Sequence, residues 1–81
     1  MNQHLLFSQA QTVDISSTDH TLDRASYIYV GGGGDTKTVK VDTVRGETVT
    51  FTGVQTGSII QVLCSKVYKT GTDATLMIAL S

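Results

Sequence analysis

From Arg24 onward, apolar and polar positions fall into five short runs, at residues 25–30, 36–42, 47–52, 58–68 and 75–80. In the second run Val39 and Val41 point one way and Lys40 the other, with Lys37 and Thr38 ahead of it. In the third, Val49 and Phe51 alternate with Thr48, Thr50 and Thr52. A period of two with a polar half-set marks a β-strand with one wet face and one dry face. The last two runs differ. Ile59, Ile60, Val62, Leu63 and Cys64, then Leu76, Met77, Ile78, Ala79 and Leu80, are apolar on both faces, as a strand is when both its sides are covered. Either the sheet closes on itself around these strands or part of their surface is a subunit interface.

Turn residues punctuate the runs: Gly31 to Gly34, Asp42 to Gly46, Gly53 to Gly57 and Thr70 to Asp73. The four glycines lie between Tyr27-Ile28-Tyr29-Val30 and the alternating stretch Thr36 to Val41, which predicts a β-hairpin connection there. The even spacing predicts a meander closing into a small antiparallel β-sandwich or barrel of about six strands, with Thr12 to Ile15 able to supply a short one. The rest of residues 1–24 is weakly patterned: one apolar patch, Leu5, Leu6 and Phe7, then the polar stretch Ser16 to Asp23. It is expected either to be an extended N-terminal arm that orders against a neighbour or to be coil covering a sheet edge. The chain therefore divides into an arm, 1–24, and a single β-domain, 25–81.

Composition agrees with an all-β chain. Thirteen threonines and nine valines stand beside no proline and no tryptophan, and β-branched residues suit a pleated surface. At 81 residues the core is thin, burying roughly 60–65% of the unfolded surface, and chains of this size lean on disulfides, metals or oligomerisation. Cys64 is the only cysteine, and His4, His20 and Cys64 have no zinc spacing, so oligomerisation is the remaining support. The net charge of -1 comes from scattered residues of both signs, which argues against nucleic acid as a partner. No apolar run reaches 18 residues and no signal-peptide pattern is visible, so no membrane association is expected and synthesis in a cytoplasm is.

Candidate chemistry is sparse. The glycine cluster lacks the Gly-Lys-Ser/Thr and the helix of a phosphate loop, since Gly34 leads into Asp35-Thr36-Lys37 and a strand. Cys64 follows Val62-Leu63, and a thiol in apolar surroundings is a poor nucleophile. His20 sits in a polar loop-like stretch, and Asp35, Asp42 and Asp73 read as turn residues. No catalytic residue, cofactor or metal is expected. The row Thr48, Thr50, Thr52 reads as the exposed face of a strand, with a sugar-binding row as the lesser alternative. Tyr27, Tyr29 and Tyr68 are amphipathic and suit subunit contacts, as do Leu5, Leu6 and Phe7 in the arm and Met77 in the last strand.

Several segments taken together resemble a known family: Ser17-Thr18-Asp19, then Arg24-Ala25-Ser26-Tyr27-Ile28-Tyr29-Val30 with Gly31 to Asp35, then Val39-Lys40-Val41, Glu47 to Val54, Gly57 to Val62, and Thr70-Gly71-Thr72-Asp73-Ala74 before the final apolar strand. Their order and spacing, over residues 17–81, are similar to those of the spike base proteins of tailed phages and gene transfer agents. The proline that the family carries after the Gly57 region is absent here, and the first 16 residues are unmatched. The resemblance implies a non-enzymatic virion protein on the capsid surface: a capsid decoration or cement protein, or a head spike base. Its partners would be the major capsid protein, further copies of itself as a trimer or pentamer, and a spike or fibre protein. A tail or adaptor component of the virion, or a small carbohydrate-binding module using Tyr27, Tyr29 or the Thr48 row, are the alternatives.

Overall fold

The computed structural model describes residues 7–81. Six strands form one antiparallel sheet: β1 (Ala10–Thr12), β2 (His20–Gly32), β3 (Lys37–Thr43), β4 (Thr48–Val54), β5 (Ile59–Val67) and β6 (Thr75–Leu80). Their order across the sheet is β1-β6-β2-β5-β3-β4. The fold is all-β, as the alternation predicts, but the sheet is not closed into a barrel, and β1 and β4 are its two edges. It is also not a meander. Of the chain-consecutive pairs only β3 and β4 are neighbours, joined through Val44-Arg45-Gly46, where Gly46 has a φ of 89° and the Thr43 N–H bonds the Glu47 carbonyl at 2.8 Å. This is the three-residue hairpin in which a turn is completed by a left-handed glycine.

The four-glycine connection is therefore not a hairpin, because β5 lies between β2 and β3 and those two strands run in the same direction. Extending the ladders Tyr29↔Ile59 and Val41↔Val67 across a flat sheet would separate Gly32 from Lys37 by about 15 residues, roughly 50 Å. The linker of residues 33–36 reaches no more than about 18 Å. The sheet must fold over on itself, and its irregularities show where. Between Thr21 and Ser26, and again between Ser26 and Ile28, the β2–β5 register shifts. Strands bend from one layer to the other at such bulges. The result is sandwich-like: β1, β6 and the C-terminal half of β2 face β3 and the C-terminal half of β5.

Between the layers lie Val13, Leu22, Ile28, Val30, Val39, Val41, Ile60, Cys64, Val67, Ala74, Met77 and Ala79, with Ile15, Phe51 and Val54 packed against them. Alternation explains most of the set: Ile28 and Val30 alternate with Tyr27 and Tyr29, and Val39 and Val41 alternate with Lys40 and Asp42. The segment expected to be an arm contributes as well. Ala10–Thr12 is the edge strand beside β6, His20 to Arg24 open β2, with His20 and Thr21 paired to β5, and Val13 and Leu22 are buried. Two buried hydroxyls are satisfied locally: Ser26 donates to the Arg24 carbonyl at 2.9 Å, and Thr43 donates to Glu47 Oε1 at 3.3 Å.

Candidate interaction surface

The outer face of the β1–β6–β2 layer is built by the register. Tyr27 stands opposite Leu80 and Tyr29 opposite both Ile78 and Ile59, so these five side chains share the face turned away from the core. The ring of Phe7 meets Tyr27 edge-on, with centroids 5.7 Å apart and planes at 63°, and extends the apolar strip past the sheet. Tyr27, Tyr29, Ile78 and Leu80 are half-buried, held by their cross-strand neighbours. Leu76, at the upper end of the strip, is 75% exposed.

Leu76 is unusual in its backbone too, with a φ of 54° inside a strand. A β-carbon in that conformation crowds the following carbonyl, at a cost of about 1–2 kcal/mol. The neighbouring strand makes room for it. A Cβ on Gly31 would lie 2.5 Å from the Leu76 carbonyl oxygen, and one on Gly32 would lie 2.7 Å from Thr75 Oγ1. The first two glycines of the cluster thus admit the close approach of β6, and the other two, with φ of 106° and 95°, turn the chain towards β3. The Thr56 hydroxyl clasps this turn, accepting from the Gly34 N–H at 3.1 Å and lying 3.0 Å from its carbonyl oxygen.

The other candidates lie elsewhere. Met77 is 1% exposed and belongs to the core. Its run is apolar at every position, which hides the parity; the register turns Met77 and Ala79 inward and Leu76, Ile78 and Leu80 outward. Leu5 and Leu6 lie outside the described residues. Tyr68 sits on the opposite layer and is tied down. Its hydroxyl donates to the Asp42 carboxylate, 3.0 Å from both oxygens, and its ring carries the Lys40 and Lys66 ammonium groups at 5.0 and 4.8 Å from the centroid. Hydrogen bonds from Thr48 and Tyr68, with Lys66 and Lys40 nearby, hold the Asp42 carboxyl below the usual carboxylate range.

Sequence reasoning passed over Leu76, Ile78, Leu80 and Ile59 as site residues. Their common face becomes visible only once β6 is known to pair with β2 rather than with β5. Cys64 is fully buried, its thiol directed at the Val62 carbonyl at 3.2 Å, and burial pushes its pKa up to about 11. His20 Nδ1 accepts the Asp14 N–H at 3.3 Å, an internal contact that closes the loop between β1 and β2. An open groove of about 480 Å³ runs between the end of β4 and the start of β5, lined by Phe51 to Gln55 and Ser58 to Gln61, with no ionisable group. No cluster of three or more His, Cys, Asp or Glu side chains forms among the described residues. What the surface offers is apolar contact area with two tyrosines in it, which suits a protein partner. No family model matches the chain, and no curated protein or solved structure does either.

Proposed function

We propose that this chain is a structural protein of a tailed-phage virion, a capsid decoration or cement protein or a head spike base, which assembles with copies of itself on the capsid surface and contacts the major capsid protein. The setting is drawn from the order and spacing of the segments from Ser17 to Leu80 described above. The observation that carries a binding role is the outer strip of Phe7, Tyr27, Tyr29, Ile78 and Leu80, capped by an exposed Leu76 in a strained conformation. Contiguous apolar surface of this kind is typical of protein contacts, and a strained exposed residue is retained where it has a task. The protein would be made in the host cytoplasm and end in the virion.

The test is co-sedimentation of the purified chain with capsids of the phage that encodes it. Binding is expected, weakened at least tenfold by Tyr29→Asp or Ile78→Asp, while Arg45→Ala in the exposed turn between β3 and β4 binds as the unmodified chain does. Absence of binding to those capsids, or binding indifferent to Tyr29 and Ile78, overturns the proposal.

A further inference from the structure

The two edges of the sheet differ. β1 has three residues, whereas β4 offers a seven-residue strand whose only ladder among the described residues is with β3. The direction of its free backbone groups follows from β3. The Lys40 N–H donates to Thr72 Oγ1 at 2.8 Å and the Lys40 carbonyl accepts from the Tyr68 N–H at 2.8 Å, so both groups of Lys40 are turned away from β4. Lys40 and Thr50 are therefore a non-hydrogen-bonded pair, and the N–H and C=O of Thr50 point to the open edge. By the same parity Thr48 and Thr52 point outward as well. None of the three has a backbone partner among the described residues.

Natural edge strands are guarded by lysine, proline or brevity. Residues 48–52, Thr-Val-Thr-Phe-Thr, contain no charge and no proline, and the β3–β4 register holds unshifted from Thr48 to Phe51. A shift follows between Phe51 and Val54, where Gly53 has a φ of 72°. The segment is also near-palindromic about Thr50. Laid antiparallel on itself, it sets Thr50 opposite Thr50, Thr48 opposite Thr52, and Val49 opposite Phe51. Threonine then meets threonine on the wet face, an established favourable cross-strand pair, and apolar meets apolar on the core side, where Val49 and Phe51 are only half-buried. With no charge in the segment, a second copy meets no like charge there.

We propose that β4 is the contact through which two copies of this chain join, by antiparallel pairing about a two-fold axis at Thr50 that continues the sheet from one subunit into the next. The inference rests on the oligomer of the reading above and names its contact. An isologous contact of this kind closes as a pair, in place of the three-fold or five-fold ring expected from the sequence.

Sedimentation and cysteine cross-linking test it on the full chain. The unmodified chain is expected to dimerise reversibly. Thr50→Pro removes one outward N–H and no β3–β4 ladder bond, so dimerisation is expected to weaken at least tenfold with the circular dichroism unchanged. Thr50→Cys is expected to give a disulfide-linked dimer in a glutathione buffer, because a hydrogen-bonded pair sets the two Cα atoms ~5.5 Å apart, within disulfide reach. Thr48→Cys is expected to cross-link poorly, its two copies lying ~14 Å apart. Buried Cys64 takes no part. A chain that stays monomeric, dimerisation indifferent to a folded Thr50→Pro, or cross-linking no better at Thr50 than at Thr48 overturns the pairing. Association lost in Thr50→Pro without a Thr50 cross-link means that another strand occupies this edge, which also overturns it. Should Thr50→Pro fail to fold, the cross-linking comparison decides alone. Capsid co-sedimentation is read separately, so a monomer that binds capsids sinks this inference and leaves the virion reading standing.

Discussion

Leu76 and Gly31 form one unit across the β2–β6 ladder, and each explains the other. Leu76 occupies the left-handed region while 75% exposed, and its carbonyl oxygen comes to 2.5 Å from where a Gly31 Cβ would be. Backbone against β-carbon leaves no flexible side chain to yield, so Gly31→Ala is expected to destabilise the chain by about 1–3 kcal/mol. That corresponds to a fall in Tm of at least ~4 °C. Leu76→Gly has the opposite expectation. It removes the Cβ strain and little buried surface, so the thermal midpoint is expected to hold or rise by a few degrees, from about 1 kcal/mol of relieved strain. Capsid co-sedimentation should weaken in the same variant if Leu76 is a contact residue. A midpoint that falls sharply would show that Leu76 serves the fold instead.

At the scale of elements, the segment between β5 and β6 is fastened to β3 by Tyr68 and Thr72 at Lys40 and by the Asp73 carboxylate at Thr38. Asp73 Oδ1 accepts the Thr38 N–H at 2.7 Å and the Thr38 hydroxyl at 3.1 Å, while the Asp73 N–H returns to the Thr38 carbonyl at 3.0 Å. The Thr38 N–H is the largest influence holding the Asp73 pKa below its ordinary 3.8. A carboxyl depressed in the folded state contributes stability above its unfolded pKa and loses it as pH falls through the folded value. Asp14 and Asp42 are shifted in the same direction, so thermal stability is expected to be level near neutrality and to decline below about pH 4. Asp73→Asn should lower the midpoint at pH 7 and flatten that decline; an unchanged pH profile would remove Asp73 from the account. Strands of this size were legible wherever one face is polar, as in Val39-Lys40-Val41 and Val49 to Thr52. Their order was not, because neighbours are chosen by long-range ladders. Gly31 to Gly34 look the same in a hairpin as in a crossing between layers. In β6 every position is apolar, so nothing local separated buried Met77 from outward Ile78. The tyrosine strip was half legible: Tyr27 and Tyr29 stood out by type, but their partners Ile78 and Leu80 did not.

At the scale of the molecule, the layered fold depends on the segment that reads least like structure. Residues 10–24 carry β1 and the start of β2, and they place Val13 and Leu22 at 7% exposure in the core, with Asp19 accepting the Lys69 N–H at 2.7 Å. Full burial of a valine or leucine side chain contributes about 1.5–3 kcal/mol, so these two supply roughly 3–6 kcal/mol. A domain of this length has only about 4–12 kcal/mol of net stability. Removing residues 1–24 also strips the ladder from one side of β6 and from the His20 end of β5, leaving backbone groups of Met77, Ala79, Ser81 and Val67 without their partners. A chain beginning at Ala25 is therefore expected to show no cooperative thermal or urea transition and to expose apolar surface to dye binding. The full chain is expected to unfold in a single step. A cooperative transition in the shortened chain would mean that β2 from Ala25 onward, with β3 to β6, suffices as a core, and that the preceding residues are the arm their polar composition suggests.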